Sequence, residues 1–421
     1  MRSFISHEIP HKKITPVLSS ILLKSMIECF IVATSLKETM EQPIVSKLPN
    51  IGLNIFSKMS ALAQQHQAVN LAQGFPDFSP SSELIELVHA YMLKGFNQYA
   101  PLAGVRPLVE NLSQKVEMLY GATYNPDSEI TITCGATEAC YTALTSILHE
   151  GDEVIIPEPS FDVYLPAIEL SKAKAVFVPL RFPGFSYDWA LIRSKISVRT
   201  KLIIINSPHN PTGSIITLED VKELQKIVEE FNLYVLSDEV YEHIVFDGKK
   251  HISISSNPVL KERSFVIGSF GKTYHVTGWR LGYCLAPKPM MIEFKKVHQY
   301  NTFSPVAPMQ FAIADFMKKT SEYESLPMFF QHKRDVFLHH IENSRWETIP
   351  SSGTYFQLLS YKSISSENDI DFADRLTREF GLASIPVSVF YSNKTDHKML
   401  RFCIAKKDET LLKAAEILCK I

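Results

Sequence analysis

The chain has 421 residues, more than one hydrophobic core ordinarily serves, so two domains are expected. Hydrophobic residues make up 45% and charged residues 21%, and 43 Lys plus Arg against 45 Asp plus Glu leave a formal charge of −2, which gives no basis for a nucleic-acid or acidic-membrane partner. Six scattered cysteines, Cys29, Cys134, Cys140, Cys284, Cys403 and Cys419, form no C-x-x-C pair, which argues against a metal site or a disulfide framework and for a reducing cytoplasm.

Residues 21–34 are apolar but are broken by Lys24 and Glu28. They form neither the run of about 18 apolar residues that crosses a membrane nor a secretory signal. Met40-Glu41-Gln42-Pro43 reads as a more ordinary start. Residues 1–44 are therefore expected to be a loose extension from a start codon assigned too early, with a targeting peptide as the alternative. Residues 45–81 are read as an N-terminal arm and part of a smaller domain.

Between residues 82 and 319, helical periodicity alternates with short apolar runs at 130–134, 153–156, 175–178, 201–205, 233–236, 265–267 and 282–285. Runs this short and apolar on both faces suit strands covered by helices on each side, which predicts a three-layer α/β domain with a mostly parallel sheet. The clearest helix, 218–230, follows Thr217 and Asp220, spaced as a capping box. Residues 320–421 change pattern. A polar helix-like stretch, strand signals at 353–358 and 400–404, and a helix at 369–380 predict a smaller α+β domain.

Ligands of open α/β sheets sit at the carboxyl ends of strands, and the polar residues of this chain gather at such positions. Ser269-Phe270-Gly271-Lys272-Thr273 follows one apolar run, and Arg280 lies eight residues beyond the lysine. A lysine there can form a Schiff base with an aldehyde cofactor, and a hydroxyl and a guanidinium suit a phosphate dianion. A surface turn is the bland alternative. A phosphate-binding G-x-x-x-x-G-K loop fails, because its first glycine would fall at Val266.

Asn206-Ser207-Pro208-His209-Asn210-Pro211 follows a second run; Asn210 can aim its amide at a phenolic oxygen. Asp238, after a third run, is an acid at a buried strand end, which is costly unless a cation such as a protonated pyridine nitrogen pairs with it. A helix N-cap is the competing reading of Asp238. Tyr241 could donate to the same phenolic oxygen as Asn210. Gly135-Ala136-Thr137 opens a helix whose N–H groups, with the Thr137 hydroxyl, offer an anion site. Phe161, at another strand end, can stack on a flat heterocycle or serve as core.

These elements occur together and in order. With Asn70-Leu71-Ala72-Gln73-Gly74-Phe75-Pro76-Asp77-Phe78, Asn97-Gln98-Tyr99, 385–392 and Arg401-Phe402-Cys403, the chain from about Pro49 onward resembles the class I pyridoxal-phosphate aminotransferases of fold type I. The likeness is to the kynurenine/glutamine aminotransferase and bacterial methionine aminotransferase branch. It implies pyridoxal 5'-phosphate as cofactor, Lys272 as the lysine that carries it and shuttles the proton, and Asp238 as partner of the ring nitrogen. Asn210 and Tyr241 would be the phenolate donors, and Ser269, Arg280, Ala136 and Thr137 the phosphate cup. Phe161 would stack on the ring. Tyr99 would reach the phosphate from a neighbouring subunit of a homodimer. Arg401, with Asn210 and the backbone near Gly74, would clamp the substrate carboxylate.

Gly135-Ala136-Thr137, where some animal members carry Gly-Gly-Tyr, and Phe56, where those members carry tryptophan, weigh against kynurenine as main substrate. Phe56, Tyr99, Phe161 and Phe303 point to an uncharged, long or aromatic side chain such as methionine, glutamine or phenylalanine, passing its amino group to a 2-oxo acid. Cysteine-conjugate β-lyase activity on the same scaffold and a non-catalytic cofactor-binding regulator are the alternatives.

Overall fold

The computed structural model describes residues 20, 21, 23–30, 44–52 and 54–421. Of the expected N-terminal extension, residues 20, 21 and 23–30 are helical, and most of the remainder lies outside the described residues.

Each of the seven apolar runs forms a strand of one sheet. In chain order these are β2 (Ile130–Thr133), β3 (Glu153–Glu158), β4 (Lys174–Pro179), β5 (Thr200–Asn206), β6 (Tyr234–Asp238), β7 (Ser264–Ser269) and β8 (Gly282–Leu285); β1 (Val69–Asn70) precedes them elsewhere. The spatial order is β2-β8-β7-β6-β5-β3-β4. Only β8 runs antiparallel to its neighbours. Both faces are covered, which is why β2, β3 and β7 are buried at every residue. One face packs on Ala139, Ala143, Leu144 and Phe294, the other on Leu224, Ile227 and Val228. The last three belong to the helix Leu218–Phe231, whose capping box forms as expected: the Thr217 hydroxyl accepts from the Asp220 N–H at 3.1 Å, and the Asp220 carboxylate accepts from the Thr217 N–H at 2.9 Å.

A second, antiparallel sheet has the order β12-β13-β10-β9, with β9 (Glu347–Thr348), β10 (Phe356–Ser360), β12 (Ile385–Pro386) and β13 (Met399–Cys403). β11 (Leu382–Ala383) pairs in parallel with β1. This pairing joins the stretch before Gly74 to the C-terminal region, and Leu71 and Ala72 share a core with Tyr355, Phe372, Leu400 and Phe402. The helix Asp369–Phe380 has the bounds its periodicity predicts and turns its apolar stripe, Phe372, Ala373 and Leu376, into that core. Among the described residues no helix is long and apolar enough to cross a membrane, and no cluster of three metal-ligating side chains occurs.

Candidate functional site

β5, β6 and β7 lie side by side and end on one edge of the sheet. Pro208 and Pro211 have no N–H to give a ladder, so the chain leaves β5 after Asn206. Asn206 then ties two strand ends together: its Nδ2 donates to the Asp238 carbonyl at 2.8 Å, and its Oδ1 accepts from the Asn210 N–H at 2.8 Å. After β7 the chain makes one helical turn, Phe270–Thr273, with Ser269 as its N-cap accepting from the Lys272 N–H at 3.4 Å. Lys272, Asp238 and Asn210 thereby face one cavity, together with Tyr241, Ser269, Arg280, Ala136, Thr137, Phe161, Gly74, Arg401 and Phe56.

Asp238 is 4% exposed. Its Oδ2 accepts from the Tyr164 hydroxyl at 2.6 Å and its Oδ1 from the Val240 N–H at 3.3 Å. No helix begins at Asp238, so its burial does not serve as a helix cap. Among the described residues no cationic nitrogen lies within 4.0 Å of the carboxylate. Burial holds its carboxyl above the usual range, against the opposing effects of the Tyr164 hydroxyl and the Val240 N–H. The turn it opens is braced from behind. Glu242 accepts from Lys115 Nζ at 2.7 Å and from the Tyr283 hydroxyl at 2.5 Å, and Glu239 accepts from the Ile254 N–H at 3.0 Å.

The half-buried Lys272 amine donates to the Tyr355 hydroxyl at 2.9 Å and to the Gly74 carbonyl at 3.3 Å. Burial pushes it down from its ordinary 10.5 to about 8, and the charges of Arg401 and Arg280 push the same way. Such an amine is available as a neutral nucleophile or base close to neutral pH.

The helix Gly135–Ile147 presents its first turn to Arg280, and Ala136, Thr137 and Arg280 line the cavity. A Cβ on Gly135 would lie 2.7 Å from Arg280 Nη2, and Gly135 has φ +79°, so glycine is required for the guanidinium to sit against this turn. Arg280 itself holds a left-handed backbone, φ 54°, which costs a non-glycine residue about 1 kcal/mol. An exposed guanidinium, two helix-start N–H groups and the hydroxyls of Thr137 and Ser269 make an anion cradle.

Arg401, in the middle of β13 and also lining the cavity, is 1% exposed. Its Nη1 donates to Asn210 Oδ1 at 2.7 Å and its Nη2 to the Ala72 carbonyl at 3.1 Å; Nε has no partner. The guanidinium carbon lies 3.8 Å from the Phe356 ring centre and 4.9 Å from that of Phe56. Burial pushes its pKa down to about 10, and no carboxylate pairs with it among the described residues. Because Asn210 Oδ1 accepts from Arg401, its Nδ2 is the atom left to donate into the cavity.

The cavity thus brings together a buried carboxylate without a cation, a buried guanidinium without an anion among the described residues, and a lysine of lowered pKa. These residues fit pyridoxal phosphate. Asp238 matches a protonated ring nitrogen, Asn210 and Tyr241 a phenolic oxygen, Phe161 a ring face, and the Arg280 cradle a phosphate. Two expected pocket residues lie elsewhere in this chain. Tyr99 is 86% exposed and packs edge-on against Phe303 with ring centres 5.5 Å apart, and neither lines the cavity. Gly74, Asn210 and Arg401, expected together at the substrate carboxylate, line one cavity; Arg401 also donates to the Ala72 carbonyl, and the Gly74 carbonyl accepts from Lys272. The sequence reading missed Tyr164 and Tyr355, whose hydroxyls touch Asp238 and Lys272. Tyr164 stands three residues beyond Phe161 and Tyr355 lies inside the strand signal 353–358, and neither carries a local signal that marks its hydroxyl.

Residues 66–418 match the family described as aminotransferase class I and II. The chain is 48% identical to the methionine aminotransferase of Escherichia coli K12 over 372 residues, covering 88% of this chain and 96% of that one. It is 34% identical to kynurenine–oxoglutarate transaminase 3 of Bos taurus, covering 92% of each. Among solved structures, an Escherichia coli protein whose structure and reactivity identified a methionine aminotransferase function superposes with a TM-score of 0.88 at 46% identity, covering 90% of this chain and all of that one. The N-succinyldiaminopimelate aminotransferase of Mycobacterium tuberculosis gives 0.87 at 32%, with the same coverage.

Proposed function

This chain belongs to the class I and II aminotransferases, and on that premise we propose that it takes the amino group from an L-amino acid with a long uncharged or aromatic side chain, methionine foremost, and delivers it to a 2-oxo acid with pyridoxal phosphate carried on Lys272. The chain is an amino-acid aminotransferase with the fold of the type I enzymes. The observation that carries the finer reading is the pair of unpaired buried charges, Asp238 without a cation and Arg401 without an anion among the described residues, which line one cavity with Lys272.

When bound, the cofactor supplies an aldehyde for amine condensation and a cationic ring that accepts electrons. The chain does the rest. Asp238 provides the negative charge that keeps a ring nitrogen protonated. Asn210 Nδ2 and the Tyr241 hydroxyl donate to the phenolic oxygen. Ser269, Arg280 and the N–H groups of Ala136 and Thr137 hold the phosphate. Arg401 takes the substrate carboxylate in the plane of its fork. The Lys272 amine would take the proton from the substrate α-carbon, hold it on Nζ, and give it up to the carbon that the cofactor's aldehyde supplies.

Substrate choice rests on what lines the space beside Arg401. Phe56, Phe161 and Phe356 are aromatic, and the cavity's other cations are Lys272 and the cradle's Arg280. Similarity to a methionine aminotransferase supports the same choice. In this reading residues 82–319 bind the cofactor, and residues 45–81 with 320–421 carry the substrate clamp. A second copy brings its Tyr99 to the phosphate, which suits an exposed tyrosine outside its own cavity. The six free thiols suit a reducing cytoplasm.

The test is a panel of amino acids against holoenzyme, following the loss of visible cofactor absorbance and then recovery with 2-oxo acids. Methionine, glutamine and phenylalanine should exceed aspartate and glutamate by at least about 100-fold in kcat/KM, since an unpaired second carboxylate costs several kcal/mol in an aromatic pocket. Equal rates for aspartate would overturn the specificity. For the shared site, a Lys272→Ala parent mixed with a Tyr99→Phe parent should regain more than the weighted mean activity. Strictly additive activity after confirmed subunit exchange would reject it.

A further inference from the structure

We propose that the Tyr355 hydroxyl is a catalytic group of this site, fixing the rotation of the Lys272 amine so that the nitrogen lone pair faces the substrate. The inference rests on Lys272 being the reacting amine.

The hydroxyl is held in place by its ring. Tyr355 is fully buried, with ring centres 5.0 Å from Phe356, 5.1 Å from Tyr241 and 5.7 Å from Phe330. Its oxygen lies 2.7 Å from the Gly74 carbonyl and 2.9 Å from Lys272 Nζ. A carbonyl only accepts, so the one phenolic proton is committed to Gly74. Toward Lys272 the phenol can then only accept. Burial, with Tyr241 beside it, holds the phenol well above its ordinary 10, so the proton stays on Tyr355 while the lysine gains and loses its own.

A second acceptor completes the arrangement. The Gly74 carbonyl is 3.3 Å from Lys272 Nζ. A neutral amine has two N–H bonds, and these two oxygens receive them. With Cε as the third substituent, the remaining tetrahedral direction belongs to the lone pair, so the two acceptors fix where it points in the cavity that Lys272 lines with Asp238, Asn210 and Arg401. The same direction serves the delivery step. A proton taken from the substrate carbon, whose bonding pair would pass toward the electron-accepting ring, becomes the third N–H of the ammonium and is held at Nζ for delivery to the acceptor carbon. Without the Tyr355 oxygen, rotation about Cε–Nζ would point an N–H into the cavity in most orientations.

The substitution to test is Tyr355→Phe, which keeps the ring and its three aromatic contacts. Loaded sites are counted by absorbance, so rates are expressed per loaded site and partial unfolding does not enter. The half-reaction with methionine should slow about 10- to 100-fold, the range for a misaligned reacting group, while the KM for methionine changes less than about threefold. A readout independent of turnover is the capture of pyridoxal phosphate by cofactor-free protein. Its plateau rate at high pH should also fall, and its pH midpoint should lie below that of the wild type, because the ammonium loses an acceptor. An unchanged half-reaction rate and an unchanged capture profile would overturn the proposal. So would a rise in KM with kcat preserved, which would place the hydroxyl in substrate binding. Failure of the wild type to capture the cofactor on Lys272 at all, seen by borohydride reduction and peptide mapping, would instead overturn the function proposed above.

Discussion

Replacing Arg401 with lysine tests the carboxylate clamp, and the structure sets the size of the effect. A guanidinium has five N–H bonds. Two are spent on Asn210 and Ala72, which leaves one on each terminal nitrogen and the unpartnered Nε–H. A fork of two parallel bonds to a carboxylate is therefore still available. An ammonium has three N–H bonds. If two replace those to Asn210 and Ala72, one is left, and the paired contact with the substrate cannot form. The face-on contact with Phe356 at 3.8 Å is weakened as well. Losing one charge-assisted bond in a buried site, with part of the stacking, costs about 2–4 kcal/mol, or roughly 30- to 1,000-fold in kcat/KM. Arg401→Lys should therefore keep the cofactor and its visible absorbance and lose kcat/KM by that factor, mostly through KM. Stopped-flow half-reactions across a methionine series, with a melting curve, make the measurement. Wild-type kinetics accompanied only by a lower melting temperature would refute the reasoning and leave Arg401 as a structural residue.

Asp238→Asn removes a buried charge that has no cation in the cofactor-free protein. That protein should be at least as stable as wild type at pH 7 by thermal melting, while the half-reaction loses at least about three orders of magnitude, roughly 4 kcal/mol; near-normal rates would show the carboxylate is not the ring's partner. Lys272, lowered from 10.5 to about 8, should give a rate of cofactor capture that rises with pH and levels off above about pH 8, and a plateau reached only near pH 10.5 would contradict it. The sign carries over to stability: a depressed native pKa favours the neutral amine, so the stability it contributes is complete above pH 10.5 and declines as pH falls through 8. Gly135→Ala places a Cβ 2.7 Å from Arg280 Nη2 and strains a backbone at φ +79°, so pyridoxal-phosphate affinity in a fluorescence titration should fall by at least about tenfold. Unchanged affinity would remove Arg280 from the phosphate cradle.

Short-range pattern was enough for much of this protein. Strands covered on both faces must be apolar at successive residues, and the seven runs between 130 and 285 all became strands of one sheet. Polar residues that interrupt such runs fall at strand ends, so Lys272, Asp238 and Asn210 could be picked out before their neighbours were known. The amphipathic helix Asp369–Phe380 and the capping box at Thr217 are written in spacings of three and four residues and were legible for the same reason. Only the tertiary structure decided which distant groups meet. Tyr164 and Asp238 are 74 residues apart, Tyr355 and Lys272 83, and Arg401 and the Ala72 carbonyl 329. Each pair depends on how strands are ordered and how the segment after β1 is drawn across to β13, choices made by the summed burial of many side chains rather than by any local spacing. A tyrosine in an apolar stretch has the same local signature whether its hydroxyl ends against solvent, a carbonyl or a reacting amine. For Tyr355 the Gly74 carbonyl and the Lys272 amine converge on its oxygen from 281 and 83 residues earlier in the sequence, and only the folded chain brings them there.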